Sequence, residues 1–167
     1  MDTLFHFVFA LVGGYILVKG LGVKYRLSIL IFLSLSSLFI DLDHLMTHLG
    51  MYDGLKLHNL FIVLIPILLF FIFRNIYLVV FSVMLFGHLI ADMIYGIYGV
   101  PLFYPFSEAT YLIPKSWEIY FNNNPTMPLV STAGIAILIY FTVISVIIFI
   151  PYLLSSANIL RKRNTRR

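Results

Sequence analysis

The sequence predicts an all-α integral membrane protein, a bundle of about five transmembrane helices with one long outer loop. Of its 167 residues, 61% are apolar and 11% are charged, and the mean hydropathy is +1.00. A water-soluble domain carries about 45–50% apolar and about 25% charged residues, so this composition excludes a soluble or a disordered chain. The chain has no cysteine, which also excludes thiol catalysis and cysteine-ligated zinc.

The apolar residues form five stretches. A helix needs about 20 residues to cross a bilayer. In chain order they cover approximately residues 3–18, 27–46, 58–73, 76–95 and 129–154, and the third is short. The only long connection, 96–128, precedes the fifth stretch. We therefore expect a single transmembrane helical domain over residues 1–160 and a basic tail at 161–167.

The basic residues predict the orientation of the bundle. The first span is followed, not preceded, by positive charges at Lys19, Lys24 and Arg26, which is the reverse of a cleaved signal peptide. Because positively charged loops remain in the cytoplasm, five spans leave only Lys56 and Lys115 outside. The prediction is a multi-pass protein of the cell membrane with its N-terminus outside and its C-terminus cytoplasmic.

The same topology collects all seven acidic residues and all five histidines at or near the outer ends of the spans, or in outer loops. We expect the basic tail to lie on anionic lipid headgroups. The lipid bilayer is therefore the expected partner, no nucleic acid is expected, and the sequence leaves the oligomeric state open.

Ionisable residues at membrane depth indicate a site, and the second span ends in several. At about 100° per residue, Asp41, His44 and His48 fall within about 60° of one another on one helical face. Asp43 points elsewhere, either to a second metal ion or to a ligand imidazole that it orients. Alternatively, these residues form a hydrogen-bond network at the helix end, and His48 is a solvated loop residue.

Three further spans bring a histidine to the same outer half. His88 and Asp92 stack at i and i+4, about 40° apart, and Gly87 beside them allows close approach of a neighbouring backbone. His58 opens the third span, and His6 lies about one turn into the first. Together imidazoles and carboxylates suit zinc, iron or manganese. The alternatives are a structural pair at 88 and 92 and a hydrogen-bonded core histidine at position 6.

At these residues the chain resembles the YdjM-type family of membrane-bound, predicted metal-dependent hydrolases. The resemblance covers about residues 1–108. It rests on His6, on Asp41-Leu-Asp43-His44, on His58, on Gly87-His88 with Asp92, and on the segment Gly99-Val-Pro-Leu102 followed by Tyr104-Pro-Phe-Ser107. It implies a divalent metal, with zinc favoured and manganese or iron as alternatives, held by His6, Asp41, His44, His58, His88 and Asp92.

One segment departs from the family pattern. Members often carry His-Arg-Gly-x-Thr-His before the third span, whereas this chain has Asp53-Gly-Leu-Lys-Leu-His58 and lacks the first histidine. Either Asp53 replaces that histidine as a ligand, or a metal position is altered or missing. The family is in turn remotely similar to the zinc-dependent phospholipase C group of all-α phosphoesterases, which is an analogy at the level of the fold.

The leading hypothesis is an outward-facing metal-dependent hydrolase of a phosphoester such as a lipid headgroup. The metal would lower the pKa of a water and neutralise phosphoryl charge, and Asp43 or Asp53 would act as general base. The aromatic residues of the outer loop form an interfacial belt or line a groove for a lipid tail. The rival hypotheses are a non-catalytic membrane protein with a structural metal or polar site, and an ion transporter.

Overall fold

The computed structural model describes residues 3–51, 56–95, 99–113, 119–120, 128–130, 134–135 and 137–150. The described residues form mainly helices, which confirms the helical class. The helices are α1 (Thr3–Gly20), α2 (Leu27–Ser37), α3 (Leu42–His48), α4 (Leu60–Phe73), α5 (Ile76–Tyr95) and α6 (Ile137–Ile150). A 3-10 turn, Leu38–Asp41, joins α2 to α3.

Two helical segments within the described residues are long and apolar enough to cross a membrane, namely Leu27–Thr47 and Ile76–Ile94. They coincide with the second and fourth predicted spans. The apolar helices Leu4–Gly20, Leu60–Phe73 and Ile137–Ile150 are shorter, so five spans remain a prediction.

The long connection contains secondary structure that the sequence analysis did not predict. Strands β1 (Ile119–Tyr120) and β2 (Pro128–Val130) pair in antiparallel fashion. The predicted start of the fifth span at residue 129 is therefore wrong, because β2 occupies that position and α6 begins later. Earlier in the connection, the backbone of Val100 pairs with that of Tyr111 through two 2.9 Å hydrogen bonds.

Helix α5 is the centre of the bundle and packs against α1, α2 and α4. Two short turns set these contacts: Gly22 adopts a left-handed conformation between α1 and α2, and Arg74 does so between α4 and α5. The Arg74 amide donates to the Phe70 carbonyl at 2.8 Å and closes α4. These turns direct consecutive helices back along one another.

The outer surface of the helices is apolar, as a lipid-facing surface is. Phe32, Leu68, Ile72 and Leu138 are each largely exposed although they lie on helices. The interior is formed by other apolar residues of the same helices, including Leu17, Leu30, Met84 and Tyr140, all fully buried. The histidines and aspartates that are buried in this interior gather at one end of the bundle.

Candidate metal centre

Four chain segments bring ionisable side chains to that end, where α1 begins, α3 lies, α4 begins and α5 ends. His6 comes from the first turn of α1, and Asp41 from the last position of the 3-10 turn. His58 stands two residues before α4, and His88 and Asp92 come from the last two turns of α5. The prediction that separate helices direct histidines and carboxylates to one end is confirmed for these residues.

The centre of the cluster consists of Asp41, His58, His88 and Asp92, whose donor atoms all lie within 4.8 Å of one another. Nε2 of His88 is 3.2 Å from Asp41 Oδ1 and 3.4 Å from Asp92 Oδ2. Nε2 of His58 is 3.6 Å from Asp41 Oδ1 and 2.9 Å from Asp92 Oδ2. Two imidazole nitrogens and two carboxylate oxygens thus face a common point.

The i, i+4 spacing on α5 produces half of this arrangement. His88 and Asp92 lie one above the other on the buried face of the helix, as predicted, and are 0% and 1% exposed. The missing side chain of Gly87 leaves room for a neighbour, but the neighbour is the ring of Tyr140 on α6 and not a backbone. A Cβ atom at position 87 would lie 2.7 Å from Tyr140 Cζ.

The 3-10 turn changes how the second span presents its polar residues. Asp41 and His44 both face the cluster, with His44 Nε2 3.9 Å from Asp41 Oδ1. Asp43 reaches His58 from another side: its Oδ2 accepts from His58 Nδ1 at 3.0 Å and from the Leu57 backbone N–H at 2.8 Å. This contact matches the prediction that Asp43 orients a ligand imidazole.

His6 contacts the cluster through a carboxylate. Its Nε2 is 3.0 Å from Asp92 Oδ1, whereas the other oxygen, Oδ2, is the one that lies near His58 and His88. The ring of His6 lies 4.4 Å from that of His88. His6 is 1% exposed. A direct bond from His6 to a metal ion remains a prediction, as does the role of Asp53, which lies outside the described residues. The side chain of His48 is also not described.

Solvent reaches the cluster from one side. The side chains of His58, His88 and Asp92 are at most 2% exposed, whereas Asp41 is 22% and His44 32% exposed. The opening therefore lies at the 3-10 turn and the start of α3. Three of the four central residues are therefore closed to solvent, and Asp41 is the one at the accessible edge.

Sequence reasoning missed the groups that fix His58. Asn59 caps α4, with its Oδ1 accepting from the Ile62 N–H at 3.1 Å and its Nδ2 donating to the Lys56 carbonyl at 2.6 Å. An asparagine directly before an apolar helical run is a recognisable cap signal. The Leu57 amide, by contrast, is a backbone group, and no residue pattern indicates its contact with Asp43.

The fold and the site define a helical membrane protein with a buried histidine–carboxylate cluster at one end of its bundle. Residues 1–160 match the family model described as YdjM inner membrane protein, and the chain belongs to this family. No curated protein and no solved structure matches the chain. The family match confirms the resemblance read from the residues and the association with a membrane.

Proposed function

We propose that the chain is a membrane-embedded metal-dependent hydrolase of a phosphoester, and that one divalent cation binds between Asp41, His58, His88 and Asp92. The observation that supports this most strongly concerns His58 Nε2 and Asp92 Oδ2. They lie 2.9 Å apart, yet both atoms are buried without a hydrogen-bond partner within the described residues. Two polar atoms this close share a cation between them, either the proton of an imidazolium–carboxylate pair or, as we propose, a metal ion.

The contact between His58 and Asp43 supports the same proposal. The Asp43 carboxylate can only accept, so Nδ1 of His58 carries a proton, and a metal ion that displaced any proton from Nε2 would meet a neutral ring with its lone pair there. That lone pair faces Asp41 and Asp92, which are also acceptors. A cation between these three groups replaces their mutual repulsion by attraction, and a metal ion fits the position.

Three of the four separations are close to those around a small tetrahedral ion, and the His58–Asp92 pair is shorter. Ligands about 2.0–2.2 Å from zinc in tetrahedral geometry lie about 3.3–3.6 Å from one another. The four pairs with defined separations in the cluster span 2.9 to 3.6 Å. Two carboxylates and two neutral imidazoles also balance the charge of a divalent cation, which matters in a low-dielectric interior. Zinc is therefore favoured, with manganese or iron as alternatives.

A bound divalent cation would supply Lewis acidity toward a phosphoryl oxygen and make a water acidic near neutral pH. Because four protein ligands already surround it, that oxygen or water would bind as a fifth ligand. The chain itself supplies the ligands, the buried surroundings of His58, His88 and Asp92, and the accessible edge at Asp41 and His44 where a substrate would enter. Asp53 remains the candidate general base from the sequence. A lipid substrate agrees with the membrane location, and the predicted topology would place the opening at the outer face.

Ion transport finds no support in the described residues. Three buried serines have their hydroxyls bonded to backbone carbonyls: Ser34 to Phe7, Ser37 to Ser34 and Ser82 to Val63. The first and third of these bonds join neighbouring helices, and hydroxyls that donate to carbonyls in this way do not form a path for an ion. A structural metal site remains the second candidate, because three of the four ligands are almost completely buried.

The test is turnover in mixed micelles of detergent and phospholipid, with the purified protein loaded in turn with zinc, manganese and iron. We expect release of a phosphorylated headgroup, loss of release in the His88→Ala, Asp92→Ala double variant, and its retention in Glu108→Gln. Glu108 is a matched control because it is an exposed acid outside the cluster. A protein that holds metal but cleaves neither phospholipids nor soluble phosphodiesters would contradict the hydrolase and favour a structural site.

A further inference from the structure

We infer that Asp43 and His6 do not bind the metal ion and are positioning residues. Asp43 bonds to the ligand His58, and His6 bonds to the ligand Asp92, in each case through an atom that the ion does not use. The inference rests on the metal centre proposed above and assigns these two residues roles other than general base and ligand. It also determines how many ions the described cluster holds.

The contact of Asp43 occupies the far side of a ligand ring. His58 has two ring nitrogens: Nδ1 bonds Asp43 Oδ2 at 3.0 Å, and Nε2 faces Asp41 and Asp92. A histidine that uses one nitrogen for a metal and donates the other N–H to a carboxylate is held in one tautomer and one orientation. The same Asp43 oxygen accepts from the Leu57 N–H, so the carboxylate also fixes the backbone that carries His58.

The contact of His6 has the same form on the other ligand. Asp92 turns Oδ2 toward His58 and His88, and its Oδ1 meets His6 Nε2 at 3.0 Å. With one carboxylate oxygen bound by His6 on α1, the side chain cannot rotate about its end without breaking that contact. His6 therefore selects which Asp92 oxygen faces the ion.

This assignment excludes a second ion among Asp43, His44 and His58, although their donor atoms also lie within 4.8 Å of one another. An ion there would need Nδ1 of His58, which already donates to Asp43. His44, partly exposed at the opening, is left beside the centre, with its ring 4.9 Å from the ring of His58. The described cluster thus holds one ion with two supporting contacts.

The experiment compares cobalt(II) and zinc binding by the full chain in detergent, with affinities measured by competition with a chelating dye and ligand geometry by the visible spectrum of cobalt. Loss of a supporting group typically lowers metal affinity 10–100-fold. We therefore expect Asp43→Ala and His6→Ala to bind cobalt 10–100-fold more weakly, with the intense tetrahedral bands of the parent. Asp43→Asn and His6→Gln, which can keep an acceptor and a donor respectively, should lie between the parent and the alanine variants.

His88→Ala supplies the reference for loss of a true ligand, with weakened binding and a changed cobalt spectrum. A spectrum of Asp43→Ala or His6→Ala that changes as in His88→Ala would overturn the inference, as would an affinity within twofold of the parent. So would two cobalt ions per chain in the parent. If the parent binds no metal at all, the proposed function fails together with the inference. If the parent binds metal but the Asp43 and His6 variants do not behave as expected, the inference fails and the proposed metal centre is unaffected.

Discussion

Substitution of Gly87 by alanine tests the packing that places His88. An added Cβ would lie 2.7, 2.8 and 2.9 Å from three atoms of the Tyr140 ring end, where ordinary contacts begin near 3.4 Å. Tyr140 cannot move away, since it is 0% exposed and its hydroxyl would already lie 2.1 Å from a Cβ at Gly13. Overpacking of a closed core costs about 1–3 kcal/mol, and the three contacts with a rigid ring place this variant at the upper end.

Gly14 offers a matched control on the same bundle. A Cβ there would lie 2.1 Å from the terminal methyl of Met84, which is the end of a flexible side chain and not a rigid ring. Replacing a helical glycine by alanine otherwise gains about 0.5–1 kcal/mol. We therefore expect Gly14→Ala to match or exceed the parent in stability, while Gly87→Ala loses about 1–3 kcal/mol and shifts His88.

The assay is unfolding in mixed detergent and SDS, followed by circular dichroism, together with metal affinity. Tyr140→Ala in the Gly87→Ala background removes the clash, so the two substitutions should be coupled by about 0.5–3 kcal/mol in a double-mutant cycle. A Gly87→Ala protein as stable as Gly14→Ala, with no coupling to Tyr140, would refute the packing described for this end of the bundle.

Three further outcomes follow from the structure. Asn59→Ala removes the cap on the Ile62 N–H and should lower stability in SDS unfolding by about 1 kcal/mol. Because His58 is the adjacent residue, metal affinity in the dye assay should also fall. Unchanged affinity would show that the cap does not position His58. Ser82→Ala loses the 2.6 Å bond to the Val63 carbonyl and should cost about 1 kcal/mol with metal affinity unchanged, a loss of metal being the contrary result. Metal affinity should rise with pH until the ligand histidines are neutral, since binding displaces their protons. Calorimetry in two buffers of different ionisation enthalpy should detect the released protons. Identical heats after correction for metal–buffer binding would contradict the ligand set.

Much of the fold could be predicted because hydropathy fixes long apolar helices directly. The second and fourth spans agree with the structure within a residue or two, and the i, i+4 spacing of His88 and Asp92 already placed them on one face. The start of α6 could not be predicted, because β2 at Pro128–Val130 is as apolar as the helix that follows it. Hydropathy does not distinguish a short apolar strand from a helix end.

The sequence predicts which residues belong to the site, but it does not predict how their side chains contact one another. Regular helical angles separate Asp43 from Asp41, but the 3-10 turn at Leu38–Asp41 alters those angles and a loop returns His58 onto Asp43. Such a contact joins residues that are fifteen positions apart in the chain, and no local pattern encodes it. Likewise, the contact between His6 and Oδ1 of Asp92 follows from the packing of α1 on α5.

The central claim is that one divalent cation binds between Asp41, His58, His88 and Asp92, and the most direct measurement is the metal content of the detergent-purified chain by mass spectrometry. The account predicts one equivalent of a transition metal in the parent and in Glu108→Gln, and its loss in the His88→Ala, Asp92→Ala double variant. A parent that holds no stoichiometric metal, even after reloading with zinc, manganese or iron, would contradict the claim and leave the cluster as a buried hydrogen-bond network.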